Sequence, residues 1–175
     1  MDSSKKPSLD YLLADSSVGL EARITKDDHQ SIRVWLRLLS SSNEIETEIR
    51  RRLRRQFGMS LARFDYLAQL QRHPDGLTMS TLSNYLMVTG GNVTGLTNDA
   101  VRDGLVLREV SAEDRRSFRV SLTAEGRSVF EAAAEQHESW IIELFAGLTS
   151  TERTQLNELL GRLRQHLSAT GKRAT

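Results

Sequence analysis

The sequence predicts a mainly α-helical fold with a small β-wing, and three observations carry that expectation. Apolar residues recur at a helical period over long stretches of the 175 residues. Two of the shorter helical stretches, about 80–86 and 90–102, are separated by a three-residue turn, Val88-Thr89-Gly90. Between Leu105 and Leu122 the period drops to two on both sides of a charged turn, the pattern of a hairpin.

Composition narrows the function classes. A hydrophobic content of 38% and a charged content of 27% suit a soluble domain with a real core. Aromatic residues, at 6%, are too few for a large aromatic core or a base-stacking sheet. The absence of cysteine excludes a disulfide framework, thiolate zinc sites, a cysteine nucleophile and thiol-based redox sensing. No apolar run approaches the roughly 18 residues of a membrane span and no signal peptide opens the chain, so a cytoplasmic setting without membrane contact is expected. A net charge of +1 leaves nucleic acid open, because a DNA binder needs only a local basic face.

Taken in order, residues 1–26 read as a mobile arm whose one short apolar stretch is Leu9–Ala14. Thr25 followed by Asp27 and Asp28 is a helix start, a hydroxyl cap with acids at the positive end of the dipole. The helix then carries Ile32, Trp35, Leu36, Leu39, Ile45, Ile49 and Leu53 without a glycine or proline until Gly58. At 1.5 Å per residue it is roughly 45 Å long, too long for a core of this size to cover, so part of its stripe needs another partner. Its basic run, Arg50, Arg51, Arg52, Arg54 and Arg55, wraps all round a helix and reads either as a solvated surface or as a place for phosphate or another anion.

A second helix opens at Ser60 with Leu61, Phe64, Leu67, Ala68 and Leu70 inward, and His73-Pro74-Asp75-Gly76 stops it. Leu77–Met79 is a short extended piece, and the helix after it buries Leu82 with Tyr85 or Leu86. Thr89 caps the helix of Val93, Leu96 and Ala100, and Gly104 ends it. After the hairpin, Thr123 caps a long helix, and Thr149 with Glu152 forms a capping box for the last one, whose leucines are 156, 159, 160, 163 and 167.

The pair of short helices has helix-turn-helix spacing, in which the second helix enters the major groove of DNA. Its outward positions are Gly91, Asn92, Thr94, Gly95 and Asn98, all small or hydrogen-bonding and none charged. Asparagine pairs bidentately with adenine, and a threonine methyl meets a thymine methyl. Glycines at 90, 91 and 95 cost about 1 kcal/mol each against alanine inside a helix, a repeated loss that calls for a reason such as close approach to the groove. In the hairpin turn, Asp114, Arg115 and Arg116 place arginines on a projection beside this helix, suited to a narrow minor groove. A lone DRR triplet is weak evidence; directly after a helix-turn-helix it makes a wing. An enzyme is disfavoured, since the chain has no P-loop, GxSxG or HExxH motif. The rival readings are a metal-responsive regulator built on the scattered His29, His73, His137 and His166, or a winged-helix protein-interaction module.

The segments Gly91-Asn92-Val93-Thr94-Gly95-Leu96, Asp103-Gly104-Leu105-Val106-Leu107-Arg108, Asp114-Arg115-Arg116 and Leu122-Thr123-Ala124-Glu125-Gly126 resemble the MarR family of bacterial transcription regulators. The resemblance spans roughly residues 30–168. It implies a homodimer whose first and last helices intertwine, a palindromic double-stranded operator, and repression relieved by a small ligand. It further implies that Arg116 enters the minor groove with Asp114 steadying it. Ala100, where the family carries a large aliphatic residue, and Val101, where a polar one is common, depart from the pattern. The organisation that results is an arm at 1–26, a dimerisation helix at 27–57, a winged helix-turn-helix lobe at 58–123 and C-terminal dimerisation helices at 124–170.

With no cysteine to oxidise, a bound small molecule is the expected signal, and no cofactor is needed. The resemblance implies a ligand where the first, second and fifth helices meet. Trp35, Arg63, Tyr66 and Trp140 are the candidates for lining it, although Trp35 and Trp140 serve equally well as core. An arginine beside aromatic rings suits an aromatic carboxylate or its coenzyme A thioester, whose phosphates the Arg50–Arg55 run could receive.

Overall fold

A computed structural model describes residues 30–86, 90–110 and 118–171. The arm at 1–26, the helix start at Thr25–Asp28, the turn residue Thr89 and the wing tip with Asp114, Arg115 and Arg116 lie outside the described residues. The chain divides into two compact units between Ser60 and Leu61.

Among the described residues the first unit holds one long helix, α1 (Gln30–Phe57). It stops where Gly58 takes a left-handed φ of 60°, which lets the Gly58 and Met59 amides donate back to Arg54 and Leu53 at 3.1 and 3.3 Å. Its N-terminal half leaves Ile32, Val34, Trp35 and Leu39 exposed.

The second unit runs α2 (Leu61–Arg72), β1 (Leu77–Thr78), α3 (Met79–Leu86), α4 (Gly90–Arg102), β2 (Val106–Val110), β3 (Phe118–Leu122), α5 (Ala124–Leu144) and α6 (Ser150–Gly171). The extended piece after Gly76 is a true strand: the antiparallel sheet has the order β1-β3-β2, with Leu77 opposite Val120. Gly76 makes that pairing possible, because its φ is 79° and a Cβ there would lie 2.7 Å from the Val120 carbonyl oxygen. Arg119 fastens the same turn by donating to the Gly76 carbonyl at 3.0 Å. Strands β2 and β3 pair from Val106–Leu122 to Val110–Phe118. At the outer end the Arg108 guanidinium lies 3.9 Å over the Phe118 ring, bracing the base of the wing.

The core of this unit gathers Phe64, Tyr66, Leu67 and Leu70 from α2, Leu82 from α3, Val93, Thr97 and Ala100 from α4, and Val106, Val120 and Leu122 from the sheet. Of the alternatives on α3, Tyr85 is half exposed and stacks on His73 at 5.4 Å, so Leu82 alone fills the core there. Helix α2 packs on α5 through Phe64, whose ring meets Phe130 at 5.4 Å and His137 at 4.9 Å. Thr123 joins three parts: its Oγ1 accepts the Gly126 amide at 2.9 Å, capping α5, and donates to the Gly104 carbonyl at 2.8 Å. Gly126 itself cannot carry a side chain, since a Cβ would fall 1.9 Å from the Leu105 carbonyl oxygen. The capping box of α6 is formed, with the Glu152 amide donating to Thr149 Oγ1 at 3.3 Å and the Thr149 amide to Glu152 Oε2 at 2.7 Å. The Thr149 amide, and its hydroxyl donating to the same oxygen at 2.7 Å, hold the Glu152 carboxyl below its ordinary pKa. Leu159, Leu160, Leu163 and Leu167 of α6 are exposed.

Candidate nucleic-acid interface

Helix α4 packs against α3, α2 and β2, and its sequence sorts cleanly by face. Val93, Thr97 and Ala100 are fully buried, while Gly91, Asn92, Thr94, Gly95 and Asn98 are all exposed. At 100° per residue, positions 91, 94, 95 and 98 fall within roughly a third of the helix circumference, with Asn92 on its flank. Apart from the adjoining residues and the helix's own backbone, no atom of the described residues lies within 4 Å of where a Cβ would stand on Gly90, Gly91 or Gly95. Packing inside the protein therefore does not explain these glycines, and they leave the backbone of the first two turns bare. The Thr94 hydroxyl donates to the Gly90 carbonyl at 2.9 Å, so its proton is used within the helix and the methyl and the oxygen's lone pairs are left to meet a partner.

Charge enters only in the last turn of α4, where it is neutralised locally. Arg102 pairs with Asp99 at 2.8 Å and approaches Asp103 at 3.6 Å. The helix then ends in a Schellman motif: Gly104, at φ 73°, donates to the Val101 carbonyl at 3.0 Å, and Leu105 donates to that of Ala100 at 2.9 Å. The small Ala100 thus lies under the helix terminus with no exposed surface.

Two residues expected at a ligand site make bonds to α4 and its C-terminal end. Tyr66 has no exposed surface, and its hydroxyl lies 3.0 Å from Thr97 Oγ1. Burial pushes this phenol above the ordinary tyrosine pKa. Arg63 reaches the other end of the helix, pairing with Asp103 at 2.7 Å, and that bond holds the Asp103 carboxyl below its usual range. Trp140 is buried on α5, and Trp35 is more than half exposed on α1 in the other unit. Thr97 and Asp103 were not singled out in the sequence. The helical period places Thr97 inward beside Val93 and Ala100, but nothing in the chain marks a partner 31 residues away.

The arginine run on α1 is largely paired along its own helix. Arg50 bonds Glu46, and Glu48 takes both Arg51 at 2.7 Å and Arg52 at 2.6 Å. Hydrogen bonds from Arg51 and then Arg52 lower the Glu48 carboxyl from 4.5 to about 2. Arg54 and Arg55 remain exposed in the last turn. Among the described residues no three histidine or acidic side chains cluster as metal ligands, and no helix is long and apolar enough to cross a membrane.

The chain is similar to proteins of known kind. The MarR family model matches residues 57–117. The HTH-type transcriptional regulator PecS of Dickeya dadantii is 30% identical over 114 residues, which cover 64% of this chain and 69% of that protein. The crystal structure of a MarR family transcriptional regulator from Silicibacter pomeroyi aligns with a TM-score of 0.69 and 34% identity, covering 82% of this chain and 99% of that one. MepR of S. aureus in complex with DNA aligns with a TM-score of 0.62 and 25% identity, covering 81% and 99%.

Proposed function

Because this chain belongs to the MarR family of transcription regulators, which are not enzymes, we propose that it is a cytoplasmic repressor that binds a palindromic DNA operator as a homodimer. The observation that carries this reading is the uncharged outer face of α4, where three glycines face open space beside Asn92, Thr94 and Asn98. A helix so bare of side chains approaches a groove floor closely. Asn92 and Asn98 can each hold an adenine edge, and the free Thr94 methyl a thymine methyl, so the half-sites are A·T-rich where these residues touch. No arginine or lysine stands in the first two turns to take guanine, so phosphate and minor-groove contacts fall to Thr89, Arg115 and Arg116, with Asp114 orienting Arg116.

Dimerisation accounts for the two exposed apolar stripes, Ile32 to Leu39 on α1 and Leu159 to Leu167 on α6. A monomer rarely leaves surfaces of that kind open to water. Two copies of α4 related by a two-fold axis meet half-sites one helical turn apart, about 34–36 Å.

The effector in this reading is an aromatic carboxylate or its coenzyme A thioester. Trp35, Arg63, Tyr66 and Trp140 remain the residues proposed for it. With Arg63 held by Asp103, a ligand carboxylate has to compete for that guanidinium, and exposed Arg54 and Arg55 are the members of the arginine run left for thioester phosphates. Such a ligand acts only if it binds the DNA-free geometry more tightly than the bound one.

Selection of bound fragments from the source genome, followed by footprinting and titration at several salt concentrations, tests the DNA assignment. The expected result is a symmetric footprint with affinity falling steeply as salt rises, because phosphate contacts release counterions. An asymmetric single half-site, or wild-type affinity in Arg116→Ala, counts against it. Calorimetry with benzoate- and cinnamate-type acids and their thioesters tests the effector. Absence of sub-millimolar binding, or binding that leaves operator affinity unchanged, removes the ligand class while the DNA assignment stands.

A further inference from the structure

The recognition helix is gripped from behind by one neighbouring helix at two points. The first is a directed chain of hydrogen bonds. Thr97 Oγ1 donates to Met79 Sδ at 3.5 Å, and a thioether sulfur has no proton to give. The single Thr97 proton is therefore in use, and Tyr66 must be the donor in the 3.0 Å contact with Thr97. The sequence Tyr66 to Thr97 to Met79 links α2, α4 and α3, which include both helices of the helix-turn-helix. The second point is the Arg63–Asp103 pair at 2.7 Å, at the C-terminal end of α4. Thr97 and Asp103 are about 9 Å apart along the helix axis at 1.5 Å per residue. One contact fixes where a rod lies; two contacts separated along it also fix its tilt.

The apolar side chains beneath α4 do not do this by themselves. Val93, Leu96 and Ala100 contact their neighbours without directional preference, and such packing tolerates small rolls and slides. Directional bonds between buried polar atoms do not, because a displaced hydroxyl in a dry core keeps its desolvation penalty and loses its partner. Thr97 has no exposed surface, and valine would fill the same space with no hydroxyl to satisfy. A threonine here selects one orientation of the helix over its neighbours in angle.

We infer that Tyr66 and Arg63 are positioning residues for sequence reading. Acting through Thr97 and Asp103, they set the roll and tilt at which α4 meets the groove, and so set operator affinity without touching DNA. The inference rests on the proposed reading that α4 enters the major groove. It differs from a role in stability, because a tilted helix still carries its charges to phosphate but no longer aligns Asn92, Thr94 and Asn98 with base edges.

The test uses the full-length dimer and the variants Tyr66→Phe, Thr97→Val, Thr97→Ser and Asp103→Asn. Affinity is measured for a selected operator and for random-sequence duplex over a range of salt, with thermal melting alongside. Tyr66→Phe, Thr97→Val and Asp103→Asn are each expected to weaken operator binding roughly thirtyfold, a factor of about five for one ordinary hydrogen bond in each of the two protomers. Random-sequence affinity and the salt slope stay at their wild-type values, so the specificity ratio falls by the same factor. Thr97→Ser keeps the hydroxyl and restores the ratio. Tyr66→Phe combined with Thr97→Val is no worse than Thr97→Val alone, since Thr97→Val already breaks the Tyr66 bond. Variants that melt earlier yet keep the wild-type specificity ratio overturn the positioning role and leave these residues as packing. A wild-type protein that prefers no sequence overturns the groove reading itself, and this inference with it.

Discussion

Replacing Gly95 with alanine pulls stability and DNA affinity in opposite directions. Gly95 lies in the middle of α4, has an ordinary helical φ, and, its own helix backbone and adjoining residues aside, has no atom of the described residues within 4 Å of where a Cβ would stand. Nothing in the folded chain resists the new methyl group. Alanine is then favoured by helix propensity and by the smaller entropy of the unfolded chain, together about 1 kcal/mol per protomer. For a chain of this length that corresponds to a melting temperature about 2–4 °C higher. On DNA the same methyl stands on the face between Gly91, Thr94 and Asn98, where the backbone is proposed to approach the groove. Pushing the helix out weakens contacts in both half-sites, and a loss of about 1 kcal/mol in each lowers operator affinity roughly thirtyfold. The assays are differential scanning calorimetry and fluorescence anisotropy on one preparation. A variant that melts higher and binds the operator as well as wild type refutes the groove role of this face. One that melts lower refutes the description of Gly95 as unobstructed.

Gly126→Ala should do the reverse. Its Cβ would sit 1.9 Å from the Leu105 carbonyl oxygen, which already accepts the Thr123 amide at 3.0 Å, and the overpacking outweighs the propensity gain of about 1 kcal/mol by roughly 2 kcal/mol or more; an unchanged melting temperature contradicts this. Burial lowers the His137 pKa from 6.5, so the native state resists protonation there more than the unfolded chain does. Stability is then fully present above pH 6.5 and declines as the pH falls from 6.5 toward the lower native value, and His137→Phe should flatten that part of a denaturant-midpoint profile. Leu163→Glu places a charge in the exposed stripe of α6 and should shift sedimentation at micromolar concentration from dimer toward monomer or unfolded chain; a wild-type protein that sediments as a compact monomer removes the dimer from the proposal.

Much of the fold was legible in the sequence, and the reason is locality. Helix periods, the Thr123 cap, the Thr149–Glu152 box and the glycine stops at 58, 76 and 104 each depend on residues a few positions apart. The outward face of α4 was legible too, because a 3.6-residue period sorts every position once one buried residue is known. Asn92, Thr94 and Asn98 stand exposed where the pattern put them.

The contacts that were not legible share a different cause. Leu77 reads as part of a short extended piece, which β1 bears out, but its partner, Val120, lies more than forty residues on and no local pattern names it. Arg63 and Tyr66 are candidate ligand residues because an arginine and an aromatic side chain on one helix carry the right chemistry. Their partners Asp103 and Thr97 come from another helix, and no local rule names them. The arginine run looked like one block of charge, although Glu46 and Glu48, a turn upstream on the same helix, neutralise its first three members. Local patterns of residues are enough to set which elements form, where they stop and which face each helix buries. Which buried polar groups meet depends on the packing of helices and strands distant in the chain, so it appears only in the folded molecule. In a dry core each such meeting either satisfies a hydrogen bond or leaves a costly one unmade.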